Sequence, residues 1–319
     1  MEQREFVTKA KKIFVEYNTY IIFVLLFIIC SVLSDQFFTE MNIRNILLQR
    51  AAPVCAAIGM LFVILTGGID LSVGSVMAFA ASLSAICVTS HGWHFIPALA
   101  AGVVSGAVFG TLTGVLVAYA NMQGFVASLA VMTIARGAAF MITNGTPIKL
   151  ARGTLNILVD RAYFFPIVII SVILIIIFIL IQNYTSYGRL VIAIGSNSMA
   201  VELAGIRVKR YVLSVYMLSG ALSALGGVFI AARASTGSAT IGSGQELEAI
   251  AACVIGGASL AGGRGIVFRT VIGVMVLALI GNIMNLMAIP SYPQDVIKGI
   301  IIILAVLMQL FTGKSEKNV

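Results

Sequence analysis

The chain has 319 residues, of which 60% are hydrophobic and only 10% charged, with a mean hydropathy of +1.07, whereas an ordinary soluble domain carries about 25% charged residues. No soluble fold could hide that much apolar surface, so the composition excludes the soluble classes and predicts an all-α membrane protein embedded in a lipid bilayer. The net charge of +8 does not point to nucleic acid, which would need a basic stripe on a folded domain; it reads as membrane orientation.

Dividing the apolar runs at charged or Gly/Pro-rich breaks predicts about ten transmembrane helices, near residues 17–34, 47–66, 73–90, 95–118, 125–142, 164–182, 211–232, 247–261, 267–288 and 294–311. Ser34-Asp35-Gln36 after the first is a poor cleavage site, so that helix is expected to be retained. The eighth is short for a crossing and is expected to be tilted, broken or partly buried. Ten crossings return the C-terminus to the side of the N-terminus, and the basic residues place both termini in the cytoplasm. The N-terminal segment (Arg4, Lys9, Lys11, Lys12), the 183–210 loop (Arg189, Arg207, Lys209, Arg210), the 262–269 turn (Arg264, Arg269) and the tail (Lys314, Lys317) hold 12 of the 20 Lys and Arg. Against this, Lys149, Arg152 and Arg161 fall outside. Five helices per half would make the two halves inverted. There is no linker or soluble domain, so residues 1–319 read as a single transmembrane domain. No G-x-x-x-x-G-K-[ST] phosphate loop occurs, and neither a cofactor nor an ATPase site of the chain's own is expected.

Between the second and third spans, Thr66-Gly67-Gly68-Ile69-Asp70-Leu71-Ser72-Val73-Gly74-Ser75 interrupts the apolar pattern with glycines and an acid. Asp70 stands where its carboxylate can accept from the N–H groups near Ser72 and Val73 and cap the third helix. An acid at membrane depth also fits a gate or a direct ligand contact. Gly102, Gly106, Gly110 and Gly114 form a four-residue stripe suited to close helix packing inside the bundle. His91 and His94 flank Trp93 and read as an interfacial aromatic turn rather than a metal site. Asn144-Gly145-Thr146 reads as a turn. Cys30, Cys55, Cys87 and Cys253 lie singly in apolar segments, so they suggest small core residues and neither disulfides nor zinc.

After the sixth span, Ser196, Asn197 or Ser198 can cap a short helix that Gly205 ends, with Met199, Leu203 and Ile206 on one face. Apolar knobs on a helix without a core of its own suit docking into a groove of another protein. A second broken segment runs from Ser235 to Glu248, with Gly237, Gly242 and Gly244 followed by Gln245-Glu246-Leu247-Glu248. Interruptions in corresponding parts of two halves point to a transport pathway between them; a wet loop ending in a helix start is the plainer reading.

These stretches resemble the permease subunits of bacterial ABC importers for monosaccharides, in the ribose-type branch. The resemblance rests on GGIDLSVGS at 67–75, NGTP at 144–147, AIG-x-N with A-x-x-x-GI between Ala193 and Ile206, and GSGQELEAIAACVIGGASLAGGRG at 242–265. It implies a homodimer or pseudo-dimer of ten-helix subunits in the inner membrane, a cytoplasmic ABC ATPase that uses ATP and magnesium, and an extracytoplasmic sugar-binding protein. It also implies that 197–206 is a coupling helix, with Asn197, Met199, Glu202, Leu203, Ala204, Gly205 and Ile206 facing the ATPase. Pathway or gating roles fall to Gly68, Asp70, Ser72, Asn144, Gly244, Gln245, Glu246 and Glu248. Relatives often carry Tyr and Asp in the stretch where this chain has Gln245 and Glu248. The expected cargo is ribose or another pentose; a nucleoside, hexose or autoinducer-like furanose stays open. With a single Trp in the chain, sugar selectivity is expected to reside mainly in the soluble partner. An ion-coupled secondary transporter would need a buried titratable relay, yet Asp70 is the only acid between Met41 and Val159. A membrane enzyme would need a catalytic constellation, and none is evident.

Overall fold

A computed structural model describes residues 19–303 except 152, 161–164, 298 and 302. Arg4, Lys9, Lys11, Lys12, Arg152, Arg161, Lys314, Lys317 and most of the tenth expected span lie outside the described residues. The chain folds as α1 (Thr19–Leu33), α2 (Glu40–Leu65), α3 (Val73–Thr89), α4 (Phe95–Ala118), α5 (Gly124–Thr143), α6 (Pro166–Tyr184), α7 (Ser186–Leu203), α8 (Val208–Ala234), α9 (Gln245–Ile255) and α10 (Val267–Leu286). Residues 291–297 begin a further helical stretch. It is an all-α membrane protein. Among the described residues, α2, α4, α5, α6, α8 and α10 are each long and apolar enough to cross a membrane.

Burial sorts these helices. The most apolar windows of α2, α8 and α10 are 67%, 72% and 61% buried, against 22%, 28% and 22% for α4, α5 and α6. The first three therefore form the centre and the others the rim, where Val104, Val108, Ile173 and Ile176 stand exposed as lipid-facing side chains would. The α4 glycine stripe does what its spacing suggests. A Cβ on Gly106 would collide with the Gly220 carbonyl, and one on Gly114 would come within 2.9 Å of the Leu213 backbone. The α4 and α8 backbones meet along this stripe, and polar contacts tie other helices. Asn42 of α2 and Asn282 of α10 exchange amide bonds of 3.1 and 2.6 Å, each satisfying the other away from water.

Three features bear on the expected layout, the first and third of them unexpected and the second in line with the shortness of the eighth span. The 183–210 segment is not a loop but mostly the helix α7, which starts one residue after α6, with the Thr185 hydroxyl accepting from Gly188 N at 3.2 Å. Its interior bends at Asn197, whose φ of −160° and ψ of 91° are extended. Second, α9 has only 11 residues, so the short eighth span is a truncated helix. Third, a two-residue antiparallel pair, β1 (Ile148–Lys149) with β2 (Thr236–Gly237), clasps the 144–165 connection to the second broken segment.

Candidate functional site

Within the first break, residues 66–72, Asp70 and Ser72 are buried while Gly67 is exposed. Asp70 is fully buried. Its Oδ1 accepts from Ser72 N at 3.0 Å and from Ser72 Oγ at 2.6 Å, and its Oδ2 from Ser219 Oγ of α8 at 2.7 Å. The capping expectation needs correcting in one respect: the Val73 N–H is not a donor to Asp70, and the second carboxylate oxygen binds across to another helix. Ser219 is the twelfth of the 27 residues of α8, which puts Asp70 roughly 16 Å along that helix at 1.5 Å per residue. Gly68 is there because a Cβ would come 2.5 Å from the Tyr216 hydroxyl; that hydroxyl also donates to the Ile69 carbonyl at 3.4 Å.

The second break enters from the opposite end. Gly237 packs on Ala81 and Ala85 of α3, and Gly242 on Gly74 and Met77 of the same helix. The segment thus descends beside α3 towards its N-terminus, by roughly 12 Å at helical rise. Here the two breaks meet. A Cβ on Gly74 would run into the Gly242 carbonyl and the Glu246 carboxylate, and one on Gly242 would reach the Gly74 carbonyl at 2.5 Å. Gly74 lies in the first turn of α3 and Glu246 in the first turn of α9, so two helix N-termini face each other across a contact that admits only glycine. Both ends favour acidic side chains and acceptor oxygens, and Asp70 stands at one and Glu246 and Glu248 at the other.

Charges from other helices surround the second break. Arg50 of α2 pairs with Glu248 at 2.7 Å, and Gln245 Nε2 donates to the other Glu248 oxygen at 2.9 Å. Arg136 of α5 donates to the carbonyls of Ala239 and of Ile241, the latter at 2.9 Å, with Glu246 as the facing carboxylate. Arg233 at the end of α8 faces Arg50 as a like charge.

At the opposite end, α7 bends where it meets the base of the first break. A Cβ on Gly195 would strike the Leu65 carbonyl and come 2.5 Å from Gly263 N, which itself donates to that carbonyl at 3.0 Å. Gln182 of α6 holds the same α9–α10 connection, donating to the Gly265 carbonyl and accepting from Val267 N, both at 2.8 Å. Beyond the bend, Asn197 Oδ1 accepts from Ala200 N at 3.0 Å, and Gly205 at φ +81° ends the helix after Leu203 and Ala204. Met199 and Leu203 are 72% and 84% exposed.

Comparison with known proteins bears on this arrangement. The family model described as "Branched-chain amino acid transport system / permease component" matches residues 42–306. The chain is a member of that permease family. It is similar to ribose import permease protein RbsC of Escherichia coli (strain K12), 38% identical over 96% of each chain. It is also similar to L-arabinose transport system permease protein AraH of the same strain, 34% identical over 97% of this chain and 94% of the relative. Xylose transport system permease protein XylH of Haemophilus influenzae is 32% identical over 86% and 91%. No solved structure matches.

In this permease the fold brings Gly244, Gln245, Glu246 and Glu248 to the start of α9, close to Gly74, while Asp70, Ser72 and Gly68 stand together at the start of α3. Asn144 is not among them; it caps α5 in the left-handed conformation, exposed, beside the clasp. Residues 197–206, expected to dock on a partner, form a third, separate group. Sequence reasoning missed Arg50, Arg136, Ser219, Tyr216 and Gln182. Arg50 and Arg136 carried a legible signal, since each is a charge inside an apolar span and so asks for a buried partner.

The bonds of Asp70 make a test. Replacing it with Asn retains an acceptor for Ser72 N but turns one oxygen into a donor facing Ser219 Oγ, which can accept instead. Asp70→Asn should therefore unfold within about 1 kcal/mol of the parent, while Asp70→Ala should lose about 1–3 kcal/mol by orphaning buried hydroxyls. Thermal unfolding of the purified permease checks both, and equal losses for the two would show that the charge itself is indispensable.

Proposed function

We propose that this chain is the membrane-spanning subunit of an ATP-driven importer for a monosaccharide, ribose or another pentose. It performs no covalent chemistry, binds no cofactor and has no ATPase site; ATP and magnesium act in a cytoplasmic ABC ATPase. An extracytoplasmic sugar-binding protein delivers the cargo, and two copies of the permease form the translocating unit in the inner membrane, with both termini cytoplasmic. The observation that carries the reading is the near full-length likeness to permeases whose names specify ribose import and L-arabinose and xylose transport.

In this reading residues 1–319 are one permease domain of ten spanning helices in two inverted halves. In its support, a long helix, a break and a shorter helix recur as α2–α3 and α8–α9, and Gly68-Ile69-Asp70-Leu71 has a counterpart in Gly244-Gln245-Glu246-Leu247. The meeting point of the breaks lies on the sugar pathway, with Gly68, Asp70 and Ser72 on one side and Gly244, Gln245, Glu246 and Glu248 on the other. Asn144 lines its outer approach. The turn at 197–206 is the coupling helix, with Asn197, Met199, Glu202, Leu203, Ala204, Gly205 and Ile206 as the contact with the ATPase.

In proteoliposomes, ribose uptake should need both ATP on the cytoplasmic side and the binding protein, and should persist when proton and sodium gradients are collapsed. Uptake that follows an ion gradient without ATP would replace this reading with secondary transport.

A further inference from the structure

The second break is held from two sides by helices of the first half, and the two attachments differ in kind. Arg136 grips backbone: its guanidinium donates to the Ala239 and Ile241 carbonyls, and Glu246 is the facing counter-charge. Arg50 grips a side chain, the Glu248 carboxylate, which Gln245 also braces. Pulling Arg50 from Glu248 would strand two charges at membrane depth. Pulling Arg136 from its two acceptors separates it from backbone carbonyls and from no carboxylate bonded to it, and irregular backbone is tolerated at that depth where it lines water.

The backbone between these attachments is built to bend. Gly242 and Gly244 hold φ of +76° and +80°, and Ser235 holds +50° at the end of α8. The outer end is clasped by the short β1–β2 pair and by the Leu150 N–H, which donates to the Ser235 carbonyl at 3.0 Å. Inward, the segment meets α3 closely at the glycine pair Gly74 and Gly242, and its one buried side chain, Ala239, is a small knob packed with Ala78 of α3 and Ala139 of α5.

We propose that residues 238–244 are the moving gate of the permease, that Arg136 is its releasable latch and that the Arg50–Glu248 pair is the fixed pivot at the start of α9. This rests on the reading above that the second break lies on the sugar pathway. Arg136 is a positioning residue: it holds the closed gate and does not select sugar.

The test uses the complete importer in proteoliposomes loaded with labelled ribose. Without ATP or binding protein, the parent should retain the sugar. Arg136→Gln, matched for incorporation, should leak it about tenfold faster, the factor that corresponds to losing roughly one charge-assisted hydrogen bond; Arg136→Lys, which keeps the charge and N–H donors on a stem of different reach, should fall between. Hydrogen exchange on the unsubstituted complex supplies a measurement that no folding defect can spoil: the 238–244 amides should exchange faster during ATP turnover, while those of 249–255 stay protected. State-dependent exchange at 238–244 with both variants as tight as the parent would overturn the latch and leave the pathway reading standing. No change in exchange between resting and turnover states would overturn the gate and the pathway assignment of this break together.

Discussion

Glu248→Gln is expected to destabilise the folded permease by about 3–5 kcal/mol, because it leaves the Arg50 guanidinium without its carboxylate inside the bundle. The pair is 2.7 Å apart, with side chains only 15% and 20% exposed. Arg233, a like charge facing Arg50, adds repulsion once the carboxylate is gone. The double variant Arg50→Met, Glu248→Leu should recover most of the loss, since removing both charges removes the desolvation penalty along with the attraction. Thermal unfolding of the purified protein reads both, and a double variant no better than Glu248→Gln would mean that the pair contributes through something other than mutual neutralisation.

Leu203→Asp should abolish ATP-driven uptake without affecting folding. Leu203 is 84% exposed, on a helical turn whose inward side chain is Val201, so an aspartate there meets water in the isolated permease. In a seated complex the same carboxylate would be desolvated. Losing the burial of one leucine forfeits about 1.5–3 kcal/mol, and desolvating an unpaired charge costs several more, so affinity for the ATPase should fall by well over a hundredfold. Gly205→Pro should act alike, since proline cannot adopt φ +81°. Co-purification of the ATPase at undiminished yield with either variant would refute the docking role.

Most helices were legible because bilayer spans advertise themselves: α3 to α6, α8 and α10 lie within a few residues of the apolar runs that predicted them. The first part of α7 was not, since Gly188, Gly195 and Ser196 are loop-like residues. Gly188 and Gly195 are glycines because a neighbouring backbone leaves no room for a Cβ. The short helical turn at 197–204 was readable because Asn197 and Gly205 use local capping chemistry. The arginine attachments were not, because Arg50 finds Glu248 across 198 positions and Arg136 finds the Ile241 carbonyl across 105. Periodicity and capping report neighbours within a few residues, and nothing in a single sequence announces a partner that distant.

Those separations also order the biosynthesis of the protein. Asn42 meets Asn282 only after 240 further residues have been made, a wait of roughly 10–50 s at 5–20 residues per second. Arg50 waits almost as long for Glu248. Until α9 emerges, the nascent α2 carries a guanidinium whose Glu248 partner has not yet been made. Chains truncated before residue 245 should therefore be held by the insertion machinery or degraded, whereas truncation after α10 should yield protein that leaves the translocon. Pulse labelling of the two truncations in cells would show whether half a permease can wait alone in the bilayer.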